Sequence, residues 1–135
     1  EEFIFRGWLL GEINLVLGYG YGWFLQALIF SLAHLRLNTD LIESLPLLVG
    51  LLFLGLVLVI QKKIDQGSLW GCIGIHGGLV GVWFAINQGL IVFSSTTPKW
   101  LIGPGNLNPN PIGGIGAILS MALILFYQRK FLTRF

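Results

Sequence analysis

The stretch LLVGLLFLGLVLVI, Leu47 to Ile60, carries no charged and no polar side chain. It does not alternate with period two, so it is neither a half-exposed strand nor a barrel strand. Ser44 suits an N-cap ahead of it and Pro46 a first helical turn. With these it approaches the roughly 20 apolar residues that a helix needs to cross a bilayer. The chain as a whole repeats the pattern. Of 135 residues, 55% are hydrophobic and 10% are charged, against roughly a quarter charged in soluble domains. So few charges cannot coat a globule with a polar surface. The expected fold is all-α: a polytopic transmembrane helix bundle with about five hydrophobic segments.

The other segments follow from their breakers. The first runs from Glu1 to about Leu17 and ends at a glycine loop, Gly18 to Gly22. The second runs from about Tyr21 to Leu37, with a polar link at Asn38-Thr39-Asp40. Residues Gln61 to Gly67 read as a loop, and Ser68 as the cap of a fourth segment ending near Asn87. A long irregular stretch, Gln88 to Pro111, is rich in Gly, Pro and Asn. The fifth segment, Ile112 to about Tyr127, leads into the basic tail QRKFLTRF. Gly50, Gly55, Gly74, Gly77, Gly78 and Gly81 suit close helix–helix contact. Cys72, the single cysteine, has no disulfide partner within the chain and reads as a packing residue.

Charge placement sets the expected orientation. Lys62 and Lys63 follow the third segment, and Arg129, Lys130 and Arg134 follow the fifth. Two crossings separate these clusters, so the positive-inside rule puts both, and the C-terminus, on the cytoplasmic side or its stromal or matrix equivalent. Arg36 suits an interfacial, snorkelling position. The net charge of +2 and the lack of a basic run give no sign of a nucleic-acid partner. The expected partners are the lipid bilayer, a peptide or protein substrate, and other membrane-protein subunits.

An ionisable residue inside an apolar segment is a functional candidate by default. Here those are Glu1, Glu2, Arg6, Glu12, His34 and His76. Glu2 and Arg6 stand four apart with the acid first, the favourable order for a helical ion pair. Glu1 points about 100° away and is left without that partner. A poorly hydrated carboxylate can act as general base or acid; Glu1 as a plain exposed helix start is an equal reading of the same residue. Across the glycine loop, Glu1 and His34 differ in depth by only about one turn and a half. His76 lies in the same middle zone. Glu12 reads as a solvated helix-end acid.

These residues also carry a resemblance. EEFIFR, Glu1 to Arg6, resembles the EExxxR motif of the CPBP (CAAX protease, or Abi) family of intramembrane endopeptidases, which includes the type II CAAX prenyl endopeptidases. FSLAH, Phe30 to His34, resembles its FxxxH motif. GSLWGCIGIH, Gly67 to His76, resembles the approach to its third motif. The resemblance spans Glu1 to about Trp83. It implies that Glu1 and His34 activate a water for peptide-bond hydrolysis, that His76 holds the water or the developing oxyanion, and that Glu2 and Arg6 brace the helix. It leaves the metal open: a glutamate-type mechanism with no cofactor is the preferred reading, with zinc on Glu1, His34 and His76 as the metal-dependent alternative. Two departures stand out. Val80 occupies the place, four after His76, where the family often has Asn. The record also begins at the first motif, so the chain reads as the C-terminal part of such a domain, with upstream helices missing. Val80 keeps open a catalytically degenerate subunit that acts as scaffold or assembly factor. A proton or ion pathway through Glu1, Glu12 and the histidines ranks third.

Overall fold

The computed structural model of the protein describes residues 1–35, 41–94, 96–105 and 108–132. All regular structure among them is helical. A π-helical segment, Phe3–Leu9, runs directly into α1, Leu10–Leu17; α2 is Tyr19–Ala33, α3 Leu41–Ile64, α4 Trp70–Ala85, α5 Lys99–Ile102 and α6 Ile115–Leu132. A second π-helical stretch, Ile86–Leu90, extends α4, and one 3₁₀ turn, Pro111–Gly113, precedes α6.

The Leu47–Ile60 run lies in α3, and α3 is the central helix. Leu51, Leu54, Val57 and Leu58 are buried together with Phe30 of α2, Cys72 of α4 and Met121 of α6. The contacts along α3 fix its neighbours' directions. Trp23 lies by Lys63, Ala27 by Gly55, and Ser31 donates to the Leu48 carbonyl at 2.6 Å. So α2 runs antiparallel to α3. On another side Cys72 donates to the Leu58 carbonyl at 3.1 Å, so the cysteine does pack in the core. The 3₁₀ turn sits against the early part of α3, where Ile112 abuts Gly50 and Gly113 abuts Leu47. A Cβ at Gly50 would collide with the Ile112 carbonyl, so this crossing requires glycine.

Several boundaries differ from the sequence reading. The Gly18–Gly22 loop shrinks to Gly18, whose φ of 78° breaks the chain between α1 and α2. The third helix starts at Leu41, so Ser44 is a buried helical residue rather than the N-cap, and Pro46 lies inside the helix. Its other end runs four residues past the apolar stretch into Gln61–Gly67. There it closes as a Schellman motif: Gly67 N–H bonds the Lys62 carbonyl and Gln66 N–H that of Lys63. Gln66 takes the left-handed position, φ 53°, that glycine usually fills. Ser68 Oγ reaches the Trp70 amide at 3.4 Å, but the residue flanking α4 is Leu69. The irregular stretch holds the short helix α5. The Asn38-Thr39-Asp40 link, Arg36 and Arg134 lie outside the described residues.

Among the described residues, two helices are long and apolar enough to cross a membrane, Leu41–Ile64 and Trp70–Leu90, and Ile115–Arg129 is a shorter apolar helix. That is fewer than the five segments expected, because the helices on either side of Gly18 are short, 7 and 8 residues for the π-helical segment and α1 and 15 for α2, and Ile115–Arg129 is short as well. The glycines of α4 also depart from expectation. Gly50 and Gly55 do sit at close helix contacts, whereas Gly74, Gly77, Gly78 and Gly81 have open space where a Cβ would go.

Candidate active site

Three helices bring the ionisable residues together. The π-helical segment supplies Glu1 and Glu2 at its start. In it the Leu10 amide bonds the Phe5 carbonyl, five residues back, rather than that of Arg6. The Arg6 carbonyl instead accepts a hydrogen bond from Lys62 Nζ at 2.6 Å. A π-helix takes more residues per turn than an α-helix and is therefore shorter for the same count. This draws Glu1 toward the depth of His34 and removes part of the mismatch that α-helical counting left. Isolated π-winding of this kind is frequent at functional sites.

His34 closes α2, with φ −94° and ψ 3°. Its own amide bonds the Ser31 carbonyl, three residues back. The Phe30 carbonyl, which an α-helix would pair with that amide, instead accepts from the His34 ring at Nδ1, 2.8 Å away. The four-residue spacing of FSLAH thus has a local cause: a histidine at a helix end can turn back and satisfy a carbonyl of the last turn. Because a carbonyl only accepts, His34 carries its proton on Nδ1, and the Nε2 lone pair faces the cluster.

His76, midway along α4, is held in the same sense. Its Nδ1 lies 2.8 Å from Glu2 Oε1, so N–H donates to carboxylate and Nε2 again presents a lone pair. Glu1 Oε2 lies 3.6 Å from Nε2 of His34 and 3.6 Å from Nε2 of His76. Three acceptor atoms therefore converge on one point, each too far from the others for a direct hydrogen bond. Such a centre is stabilised by a proton donor or a cation. Glu1 is half exposed, 54%, and Glu2 is 5% exposed, so the centre opens outward past Glu1.

Arg6 is fully buried and sets the floor. Its Nη1 donates to Glu2 Oε1 at 2.9 Å, and its guanidinium lies 3.9 Å from the centroid of the Phe30 ring. Glu2 Oε1 thus accepts from Arg6 and from His76 at once. The sequence reading found the Glu2–Arg6 pair but not the link to His76. Its signal was the doubled acid: two adjacent glutamates about 100° apart can address the two ring nitrogens of one imidazole. Phe30, the first residue of FSLAH, has a role that the motif does not announce. Its ring lies at the hub, 5.2 Å from Phe5, 4.6 Å from the His34 ring and 5.6 Å from that of His76.

Other candidates fall outside this centre. Glu12 is exposed on α1, away from the histidines, as a solvated acid would be. Val80, one turn beyond His76, is 50% exposed and has no hydrogen-bond donor to offer. Asn87, two turns farther, hydrogen-bonds to the Trp83 carbonyl and lines a separate cavity of 420 Å³ with Ser94 and Lys99.

Fold and centre together define a class: a chain, all-helical in its described regular structure, in which a helix start, a helix end and a mid-helix position bring together one carboxylate and two imidazoles. The model of the family described as type II CAAX prenyl endopeptidase Rce1-like matches residues 1–82. That is more than half of the chain, and the protein belongs to this family. The matched region contains Glu1, Glu2, Arg6, His34 and His76. No curated protein and no solved structure gave a match.

Proposed function

We propose that the protein is an intramembrane endopeptidase that hydrolyses peptide bonds of membrane-associated substrates at the Glu1–His34–His76 centre. The observation that carries this reading is the convergence of Glu1 Oε2 and two imidazole Nε2 lone pairs at 3.6 Å, inside a chain of the Rce1-like family. The polytopic membrane bundle is part of the proposal. Leu41–Ile64 and Trp70–Leu90 suit crossings. Phe3, Trp8, Leu15, Val16 and Tyr21 are exposed, which lipid accommodates and water does not. Lys62 and Lys63 near the end of α3 and Arg129 near the end of α6 support a cytoplasmic C-terminus.

The chemistry follows from the protonation pattern. A water among the three acceptors donates one hydrogen to Glu1 and one to an imidazole Nε2. Glu1 takes a proton as the water oxygen attacks the scissile carbonyl carbon. The carbonyl π-bond electrons move to oxygen and form a tetrahedral intermediate. Donation to that oxyanion from His76 requires its imidazolium form, with Nδ1–H on Glu2 and a second proton on Nε2; the second hydrogen of the water then goes to His34. Collapse breaks the C–N bond, and the proton held by Glu1 passes to the leaving amine. His34 fixes the water through Nε2 while Phe30 holds its ring.

The donor set also fits zinc. The three ligand atoms of Glu1, His34 and His76 lie within 4.8 Å of one another, and each imidazole has its other nitrogen anchored by an oxygen, as metal-binding histidines do. Those three residues would hold the ion, which would supply Lewis acidity with a fourth position open. The metal-free route is preferred because the chain's own groups account for each proton.

One observation favours a second reading. Val80 leaves one turn of α4 beyond His76 without an amide, and loss of one oxyanion donor costs about two to three orders of magnitude in rate. A degenerate scaffold subunit is the function that this loss supports. The test uses the full protein in bilayers with fluorogenic membrane peptides, comparing wild type with Glu1→Gln and His34→Ala, before and after chelator dialysis. Cleavage present in wild type and lost in both variants supports the peptidase. No cleavage by wild type, with a stable complex still isolated, refutes it in favour of the scaffold.

A further inference from the structure

Four side chains between the first helix and α2 bury polar atoms that have no hydrogen-bond partner among the described residues: Oε2 of Glu2, Nε and Nη2 of Arg6, Oδ1 of Asn14, and both Oε1 and Nε2 of Gln26. Gln26 and Arg6 are each 0% exposed. The contacts between the helices set these groups in one line. Asn14 Oδ1 abuts Gly22, and the Arg6 guanidinium lies over the Phe30 ring. The chain therefore runs antiparallel across Gly18. Gly22, Gln26 and Phe30 stand four apart along one face of α2, as Arg6, Leu10 and Asn14 do along the opposing helix. Gln26 is thus at the level of Leu10, between Asn14 and Arg6. A cavity of 510 Å³ at the ends of α1, α2 and α3 reaches the same level. Its lining runs from Lys62 and the exposed Gln66, past Asn14, to the buried Leu10 and Val59. From this cavity Lys62 Nζ bonds the Arg6 carbonyl at 2.6 Å.

The unmade bonds mix donors with acceptors. Gln26 Nε2 and Arg6 Nε and Nη2 donate; Gln26 Oε1, Glu2 Oε2 and Asn14 Oδ1 accept. An anion is met by donors alone and a metal cation by acceptors alone. Water serves both, and buried polar atoms that the protein leaves over are ordinarily met by ordered water. We propose that this seam carries water from the cavity to the Glu1–His34–His76 centre, with Gln26 as the relay between the cavity and Arg6. The supply role rests on the hydrolysis reading above. Each peptide bond cleaved consumes a water. The centre opens outward past Glu1, which is 54% exposed, and a substrate seated against Glu1 covers that opening. Water that comes along the seam passes Gln26 and Arg6 and arrives at Glu2 Oε2, on the buried side of the centre.

The test is water-edited solid-state NMR of the full, isotope-labelled protein in phosphatidylcholine bilayers. It reads magnetisation passed from water to the Gln26 side-chain amide and to the Arg6 Nε–H. Wild type is expected to show transfer to both. Gln26→Met keeps the side-chain length and loses the hydrogen bonds. It is expected to lose the transfer at Arg6 and to lower kcat about tenfold in peptide cleavage, with KM unchanged. Wild-type protein with no transfer to Gln26 and Arg6 overturns the proposal, and so does a Gln26→Met protein whose Arg6 keeps its transfer. An unchanged kcat in a variant whose Arg6 has lost its water overturns the supply role. If Gln26→Met loses its helical circular dichroism, the wild-type spectra decide alone. Peptide cleavage by a protein whose seam takes no magnetisation from water refutes this inference and leaves the peptidase reading standing. A hydrated seam in a protein that cleaves no peptide refutes that reading and leaves the water path in place.

Discussion

Glu1 and Glu2 are neighbours in sequence, and replacing each by glutamine is expected to give opposite phenotypes. Glu2 is buried and is the anionic partner of the fully buried Arg6. In Glu2→Gln the guanidinium keeps its burial and loses its counter-charge. Removing one partner of a buried pair costs about 3–5 kcal/mol. The glutamine oxygen still accepts one hydrogen bond, so the lower end, about 3 kcal/mol, is expected. For a chain of this size that corresponds to a fall in melting temperature of roughly 10 °C. The same change loosens the tautomer of His76, so turnover falls about 10- to 100-fold, as for the outer partners of other functional histidines. Glu1 is half exposed and faces the two imidazoles. Glu1→Gln is expected to leave the stability within about 0.5 kcal/mol of wild type, while removing a general base costs about 10²–10⁴ in rate. Differential scanning fluorimetry in detergent and peptide cleavage in bilayers read the two effects on the same samples. A Glu2→Gln protein as stable as wild type, or a Glu1→Gln protein that melts much earlier, would refute the division of roles between them.

Three further outcomes follow from the packing. Phe30→Ala removes the ring that Arg6, His34 and His76 share, and is expected to cost about 3–5 kcal/mol in urea titration; Phe30→Leu should recover most of the stability and little of the activity. Gly50→Ala drives a methyl into the Ile112 carbonyl and is expected to destabilise by about 1–3 kcal/mol. Gly78→Ala meets open space and should be neutral, or stabilise by up to about 1 kcal/mol through helix propensity; equal losses at the two sites would contradict the assigned contacts. Gln66→Gly relieves the left-handed backbone that closes α3 and is expected to raise stability by about 0.5–1 kcal/mol in the same titration.

What the sequence made legible was chemistry at fixed short spacing. The i, i+4 relation of Glu2 and Arg6 needs only helical geometry, and the structure holds those atoms 2.9 Å apart. The helical class needed only the long apolar runs. Less legible were features that depend on where a helix stops or how it winds. Counting residues cannot show that Leu10 bonds back to Phe5, so the meeting of Glu1 with two imidazoles was only approximately in reach. Ser44 and Pro46 carry good capping chemistry, yet α3 begins three residues earlier because the start of the helix packs under the Pro111–Gly113 turn. The glycines of α4 illustrate a different limit. Small residues mark a surface that admits close approach, but sequence does not say whether this chain makes that approach. Gly50 does and Gly78 does not. The contact of Glu2 with His76 spans 74 positions, and no local pattern encodes it.

The π-helical winding of Phe3–Leu9 acts as a phase shifter between the acids and the rest of their helix. In an uninterrupted α-helix, the direction in which Glu1 and Glu2 face would be locked to the face that α1 buries, at a fixed angle per residue. Here the slip between Phe5 and Leu10 breaks that lock. The orientation of the two carboxylates is then set by His76, Arg6 and Phe30, while Leu10 packs α1 by itself. α1 can change its sequence, and α2 its glycine-rich start, without turning the acids away from the histidines. A single-residue deletion within Phe3–Leu9 would restore α-helical phase and couple the two again.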